Sequence, residues 1–164
     1  PPLPNDAITT GEEEEEEEEK EKEEGLARWS VGDGADMLVA LHACGGLSDV
    51  ALRLAARCGA SCLVATCCFG KHRDLRPAPW HSCLGTAEED ALCRMADCVD
   101  HSLAATARTV GSNLRLQSLR EQIDAEASRG RGSSIRLAQA SIRTFDRAYS
   151  RQNFVLASHC VPCS

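Results

Sequence analysis

The chain has 164 residues, 43% hydrophobic, 26% charged and only 4% aromatic, which fits one soluble domain or a domain with a tail, its core built from Ala, Leu, Val, Ile and Cys. No apolar run approaches the ~20 residues that span a bilayer, so no transmembrane helix and no membrane partner are expected. The Pro-rich, then acidic start is also unlike a secretory leader or transit peptide. The net charge of −7 belongs to one segment: residues 12–24 hold eleven Glu and two Lys, whereas the chain from Gly25 onward is mildly basic and has Lys71 as its single lysine. Mild positive charge permits an anionic partner without requiring one.

The chain begins at Pro1 without a Met, as expected of a processed chain or an incomplete start. Residues 1–35 read as a disordered, acidic, low-complexity tail, because a polyglutamate run repels itself and has no apolar face to bury. Order is expected from Asp36. Met37-Leu-Val-Ala-Leu41 is a continuous apolar run of strand length, the pattern of a strand buried on both faces. His42-Ala-Cys44-Gly45-Gly46 is a turn. Ser48 is a plausible helix N-cap with Asp49 favourable at the positive end of the dipole. Val50, Ala51, Leu54, Ala55 and Cys58 follow at helical spacing, and Gly59 stands where a glycine ends a helix. Residues 61–67 form a second apolar strand, which completes a βαβ unit.

Residues 69–86 read as an irregular loop carrying Lys71, His72, Arg73, Arg76, Trp80 and His81. Thr86-Ala-Glu-Glu89 has the form of a capping box, opening a helix with Leu92, Met95, Ala96, Val99 and Leu103 on one face. Gly111 is expected to interrupt it, and Leu116, Leu119 and Ile123 continue a helical stripe to about Ala127. After a Gly- and Arg-containing loop over 128–134, residues 135–142 and 153–158 read as two strands of an antiparallel hairpin. The last six residues, with His159-Cys160-Val-Pro-Cys163, read as a frayed tail, since a lone CxxC is a weak metal signal.

Ten cysteines raise the question of compartment. Disulfide scaffolds are short, loop-rich and usually secreted, whereas many cysteines here sit inside apolar periodic segments. They are expected to be small buried hydrophobes in a reducing compartment, the cytoplasm or the nucleus.

Two segments one βαβ unit apart carry a resemblance. Asp36-Met-Leu-Val-Ala-Leu-His42-Ala-Cys44-Gly45-Gly46-Leu-Ser-Asp49 and Cys67-Cys68-Phe69-Gly70-Lys71-His72 resemble the methyltransferase domain of the glutathione S-transferase C-terminal domain-containing and methyltransferase-like group, with its "LHACGxLSD … PCCYGK" pattern. More distantly they are similar to tRNA ribose methyltransferases. Gly111-Ser-Asn113-Leu-Arg115 and Tyr149-Ser-Arg-Gln-Asn153 extend the resemblance over roughly residues 36–158, and Thr66 stands where the group has Pro. The resemblance implies an α/β fold: a partial Rossmann-like class I methyltransferase sheet of strand order 3-2-1-4-5-7-6. The strands at 37–42 and 61–67 would be strands 4 and 5, and the final hairpin strands 6 and 7. Only 36 residues precede Met37, with no counterpart of the Gly-rich cofactor loop after strand 1. The chain thus corresponds to the C-terminal half of the domain, and weak or no S-adenosylmethionine binding by this chain alone is expected.

Ligands in open α/β sheets bind beyond the carboxyl ends of the strands. His42 and Cys44 are therefore the candidate catalytic residues. Asp36, Gly45, Gly46, Asp49, Cys67, Cys68, Phe69, Gly70 and Lys71 are candidates for the cofactor and substrate pocket, the glycines because backbone can approach a ligand there. His42 has an equally good structural reading as a hydrogen-bonding group at the sheet rim. Cys67 and Cys68 read as pocket lining or packing, because adjacent residues in a strand face opposite sides and two neighbouring thiols do not readily share one tetrahedral ion. No metal ligands are assigned. Arg73, Arg76 and Trp80 are candidate RNA contacts through phosphate pairing and base stacking, set against a solvated loop with Trp80 packed on the body. The leading function is an S-adenosylmethionine-dependent methyltransferase-type protein, perhaps with RNA as acceptor. A non-catalytic interaction module, and more weakly a thiol-rich metal or redox protein, are the alternatives. Self-association, or a partner strand, is expected at the unprotected edge 37–41.

Overall fold

The computed structural model describes residues 35–76, 80, 84–129, 135–146, 148 and 153–162. All of the expected tail at 1–35 but its last residue, together with His81, Tyr149 and Cys163, lies outside the described residues. Within the unit spanning Val31–Ser164, strand β1 (Met37–Ala43), helix α1 (Gly46–Cys58) and strand β2 (Ser61–Thr66) form the βαβ unit. A single 3-10 turn at Arg73–Leu75, helices α2 (Thr86–Ala96) and α3 (His101–Ser128), and strands β3 (Ile135–Thr144) and β4 (Phe154–Pro162) follow.

The sheet has the order β1-β2-β4-β3. β1 and β2 are parallel, while β4 runs antiparallel to both β2 and β3. This is the order and direction expected for strands 4, 5, 7 and 6, so the fold is a mixed α/β, partial Rossmann-like sheet. Among the described helices none is long and apolar enough to cross a membrane.

One face of the sheet carries the core. Cys62 and Val64 of β2 and Leu156 of β4 pack with Leu52, Ala55 and Ala56 of α1 and with Leu116, Leu119 and Ile123 of α3. Leu38 and Ala40 of β1 lie against this cluster, but Met37, Val39 and Leu41 are 55%, 58% and 75% exposed. The expectation of a strand buried on both faces is therefore half correct. A continuous apolar run records two hydrophobic faces, but the described helices cover only one.

Helix ends correct several sequence expectations. Gly59 ends α1 in the left-handed region at φ 63°, as expected. Ser48, however, lies inside α1, and its buried hydroxyl donates to the Ala43 carbonyl at 2.6 Å. It ties the helix to the end of β1 and does not cap it. The predicted capping box also fails: Glu89 is buried and faces Arg76 and Trp80, away from its own helix start. The single helix expected from Thr86 is two. Asp100 supplies the cap between them, its carboxylate accepting from the Ser102 and Leu103 N–H groups at 2.9 and 3.0 Å, and Val99 at that joint is 95% exposed. α3 runs uninterrupted through Gly111. β4 continues to Pro162, so Cys160 belongs to the sheet and not to a frayed end.

Cys62 and Cys93 are fully buried, as expected of small hydrophobes. Burial pushes their thiols, and that of Cys160, above the ordinary value of 9.0. Unfolded thiols ionise near the ordinary value while the folded ones keep their protons, so this stability is complete below about pH 9 and is lost as pH rises through the raised folded values. Urea unfolding should show a lower midpoint at about pH 10 than at about pH 7.5, and Cys62→Val should make that fall shallower. An equal fall in both proteins would contradict the assignment to Cys62.

Candidate functional site

The carboxyl ends of β1 and β2 lead into two loops that lie against each other. Ladder pairing is irregular between Ala40 and Ala43, and within this interval His42 adopts φ 54°, a conformation uncommon for a residue with a side chain. The bend exposes its imidazole, which makes no hydrogen bond to the described residues, at the strand end. Gly45 N–H donates to the Cys68 carbonyl at 2.9 Å and Gly46 N–H to the Lys71 carbonyl at 3.0 Å. A Cβ on Gly45, whose φ is +50°, would fall 1.6 Å from the Lys71 carbonyl oxygen, and one on Gly46 would fall 1.8 Å from that of His72. Both residues must therefore be glycine, but the backbone that approaches them is the chain's own. This replaces the expected ligand contact.

Three sulfurs meet at this junction. Cys44 and Cys67 form a disulfide with a Cα–Cα distance of 5.3 Å, and the Sγ atoms of Cys44, Cys67 and Cys68 all lie within 4.8 Å of one another. The expectation that Cys67 and Cys68 face opposite sides fails because β2 ends at Thr66, so the strand's alternation no longer applies to them. With its sulfur bonded to Cys67, Cys44 is not an acid–base group. Asp36 also leaves the site: it precedes β1, and its carbonyl accepts from Ser61 N–H at 3.0 Å at the amino ends of the strands. Seven strand residues separate the two ends, roughly 23 Å of rise.

Beneath the loops lies a buried charged cluster. The Arg115 side chain in α3 is wholly buried. Its Nε donates to Asp49 Oδ1 at 2.9 Å, and its Nη2 donates to the Gly45 carbonyl at 2.9 Å and to Asp49 Oδ2 at 3.3 Å. Its guanidinium stands 4.6 Å from the Phe69 ring centre and 4.7 Å from that of Trp80. Trp80 Nε1 donates to Asp49 Oδ1 at 2.8 Å, and Trp80 N–H to Glu89. Arg76, also buried, pairs with Asp49 and Glu89 and lies over Trp80 at 4.2 Å. Burial works against the Arg76 charge, but Asp49, Cys93 and Glu89 outweigh it and hold the guanidinium above its ordinary pKa. The two carboxylates match the two guanidinium groups, which satisfies the requirement that buried charges be paired.

This cluster removes several residues from the list of ligand contacts. Asp49 is an internal counter-ion. Phe69 and Trp80 are fully buried, edge to face with ring centres 6.3 Å apart, so Trp80 offers no face to a base. Arg76 is committed to its carboxylates, and exposed Arg73 pairs with Asp90. Gly70 N–H donates to Asp97 Oδ2 at 2.7 Å, and Phe69 N–H to the same carboxylate. Lys71 is exposed beside the junction. Sequence reasoning missed Glu89, Asp97 and the role of Arg115. A signal existed for one of them: Gly111 and Arg115 share a helix face at i and i+4. A Cβ on Gly111 would lie 2.9 Å from Phe69 Cε1, so the glycine makes room for the rings on which Arg115 stacks.

A family model described as a methyltransferase domain matches residues 6–73, less than half of the chain. The match takes in β1, α1, β2 and the loop up to Arg73, the part that builds the junction. No curated protein and no solved structure matches the chain. The region that forms the strand-end loops is thus similar to a methyltransferase domain. The described residues fit a methyl-donor cofactor only in part. They place His42, the cysteine cluster and Lys71 at the strand-end loops, but include neither a Gly-rich turn after a first strand nor an acidic residue ending a second.

Proposed function

We propose that the chain carries the C-terminal half of an S-adenosylmethionine-dependent methyltransferase domain, with its ligand end at the loops following β1 and β2. The observation that supports this reading best is the coincidence of two independent features. The β1-β2-β4-β3 order has the directions expected for that half, and the methyltransferase-domain match covers the βαβ unit whose loops form the end of the sheet. The cofactor, when bound, supplies an electrophilic methyl group. On this chain, His42 is the exposed group suited to orient an acceptor or take its proton, and the latched loops hold it in place. An RNA acceptor rested on Arg73, Arg76 and Trp80. With Arg76 and Trp80 buried and Arg73 paired, the proposal ends at methyl transfer. A reducing compartment, cytosol or nucleus, suits the six free thiols among the described residues, and the Cys44–Cys67 disulfide departs from it.

One observation favours a non-catalytic module instead: the space above Gly45 and Gly46 is filled by the Lys71 and His72 backbone. Calorimetric titration of S-adenosylmethionine into the purified chain separates the readings. Weak, saturable binding that His42→Ala leaves intact while methyl transfer falls is expected of a half-domain with His42 in an acid–base role. No binding at millimolar ligand would support the module.

We also propose that the chain self-associates through β1. Its outer edge is unpaired among the described residues, and Val39 pairs in register with Leu63 of β2, so Met37, Val39, Leu41 and Leu63 form an exposed apolar face. A second copy pairing β1 antiparallel to β1 would satisfy the open edge and continue that face. Val39→Lys should shift the chain toward monomer by light scattering. A parent chain that is monomeric at high micromolar concentration would refute the proposal.

A further inference from the structure

The cluster of Cys44, Cys67 and Cys68 has no chemical role in the methyl transfer proposed above. Among the described residues these are the three cysteines whose sulfurs gather at one point. Cys62 and Cys93 are sealed in the core, where burial raises their pKa and keeps them as inert thiols. The three clustered sulfurs are half-buried and come from two loops held in register by backbone hydrogen bonds, from Gly45 N–H to Cys68 and from Gly46 N–H to Lys71. Cys44 lies two residues before the start of α1, where the helix dipole favours a thiolate. The sulfurs approach within 4.8 Å of one another, close enough for one ion of the zinc class, whose Zn–S bonds are about 2.3 Å.

We propose that the reduced chain binds a thiophilic divalent ion of the zinc class through the thiolates of Cys44, Cys67 and Cys68, and that the Cys44–Cys67 disulfide is the closed, metal-free form of the same site. Two molecules of a thiol reductant open the disulfide, becoming one disulfide themselves and leaving two protein thiols. The ion then displaces the protons of the three thiols, which pass to solvent. Three protein ligands leave a fourth position open, as in zinc sites that bind an exogenous ligand rather than serve only to hold a fold together. Soft sulfur ligands select zinc, cadmium or cobalt over magnesium or calcium. The proposal does not depend on methyl-donor binding.

The test uses the full chain, reduced under anaerobic conditions and freed of metal by chelation and desalting. Titration with cobalt(II) should give a thiolate-to-cobalt charge-transfer band that saturates at one ion per chain, and zinc should abolish it. Bound zinc should protect Cys44, Cys67 and Cys68 from alkylation, mapped by peptide mass spectrometry on the unmutated chain, while Cys98 remains reactive. Cys68→Ser should weaken cobalt binding by about tenfold or more, and Cys98→Ser should leave it unchanged, with far-UV circular dichroism confirming that both variants fold. The proposal is overturned if the reduced chain gives no charge-transfer band. It is equally overturned if metal protects a different set of cysteines, or if Cys44 and Cys67 stay disulfide-linked under reduction that leaves the chain folded.

Discussion

Replacing Arg115 by Met should lower stability by about 3–5 kcal/mol, the usual consequence of removing one partner from a buried ion pair. Such a loss is a large share of the ~5–15 kcal/mol that holds an ordinary domain together. The reason is specific to this site. Arg115 donates to both oxygens of Asp49 and to the Gly45 carbonyl, and it stacks on Phe69 and Trp80. Met keeps much of the packing volume but leaves the buried carboxylate with Arg76, at 3.4 Å, as its only cation among the described residues. Arg115→Lys should recover only part of the loss, because a single ammonium cannot reproduce the planar fork. In the double variant with Asp49→Asn the two losses should add to less than their sum, since both report one interaction. Thermal and urea unfolding of the parent, the three single variants and the double variant measure this. A loss under about 1 kcal/mol for Arg115→Met would show that the cluster relaxes around the missing charge.

Gly45→Ala should be comparably damaging for a different reason. The new Cβ would fall 1.6 Å from the Lys71 carbonyl oxygen, and the obstacle is backbone, which cannot rotate away. The residue must also hold φ +50°, which adds strain of order 1–3 kcal/mol. Together with overpacking of about 1–3 kcal/mol, the combined cost is on the order of 2–6 kcal/mol unless the 68–72 loop lifts off. If it lifts, Gly45 loses its bond to Cys68 and the three sulfurs separate, so cobalt binding should fall along with stability. Gly70→Ala is the control. Its added Cβ would meet only the tip of the Asp97 side chain at 3.2 Å, and a loss below about 1 kcal/mol is expected. Equal losses for the two variants would show that the close contact at Gly45 is not what holds the loops together.

The two substitutions also mark the line between local and tertiary information. The βαβ unit was legible because its signals are local. Apolar runs at 37–41 and 61–67, the helical spacing from Val50 to Cys58, and Gly59 at the helix end act within a few residues of themselves, and each element appears where its pattern places it, the strands to within two residues at their ends, at Met37–Ala43 and Ser61–Thr66. The sheet order was legible only through the resemblance, because no local pattern says that β4 inserts between β2 and β3.

Side-chain roles depended on partners far along the chain. Asp49 carried the sequence pattern of a helix-start residue, yet its partner Arg115 is 66 positions away. Glu89 matched a capping box, but the pull of a buried Arg76 outweighs a bond to an exposed helix end, since pairing a desolvated charge is worth more than capping. Basic and aromatic residues in the 69–86 loop look alike in sequence whether they face solvent or each other, and only their partners on three helices, Asp49 of α1, Glu89 of α2 and Arg115 of α3, hold Trp80 and Arg76 inward. The cysteines divided on the same basis. Composition determined that a chain so poor in aromatics would use Cys as a core residue, as Cys62 and Cys93 are used. That three others meet at one point was decided by tertiary structure: two parallel strands end side by side, and Gly45 and Gly46 lack the side chains that would hold their loops apart.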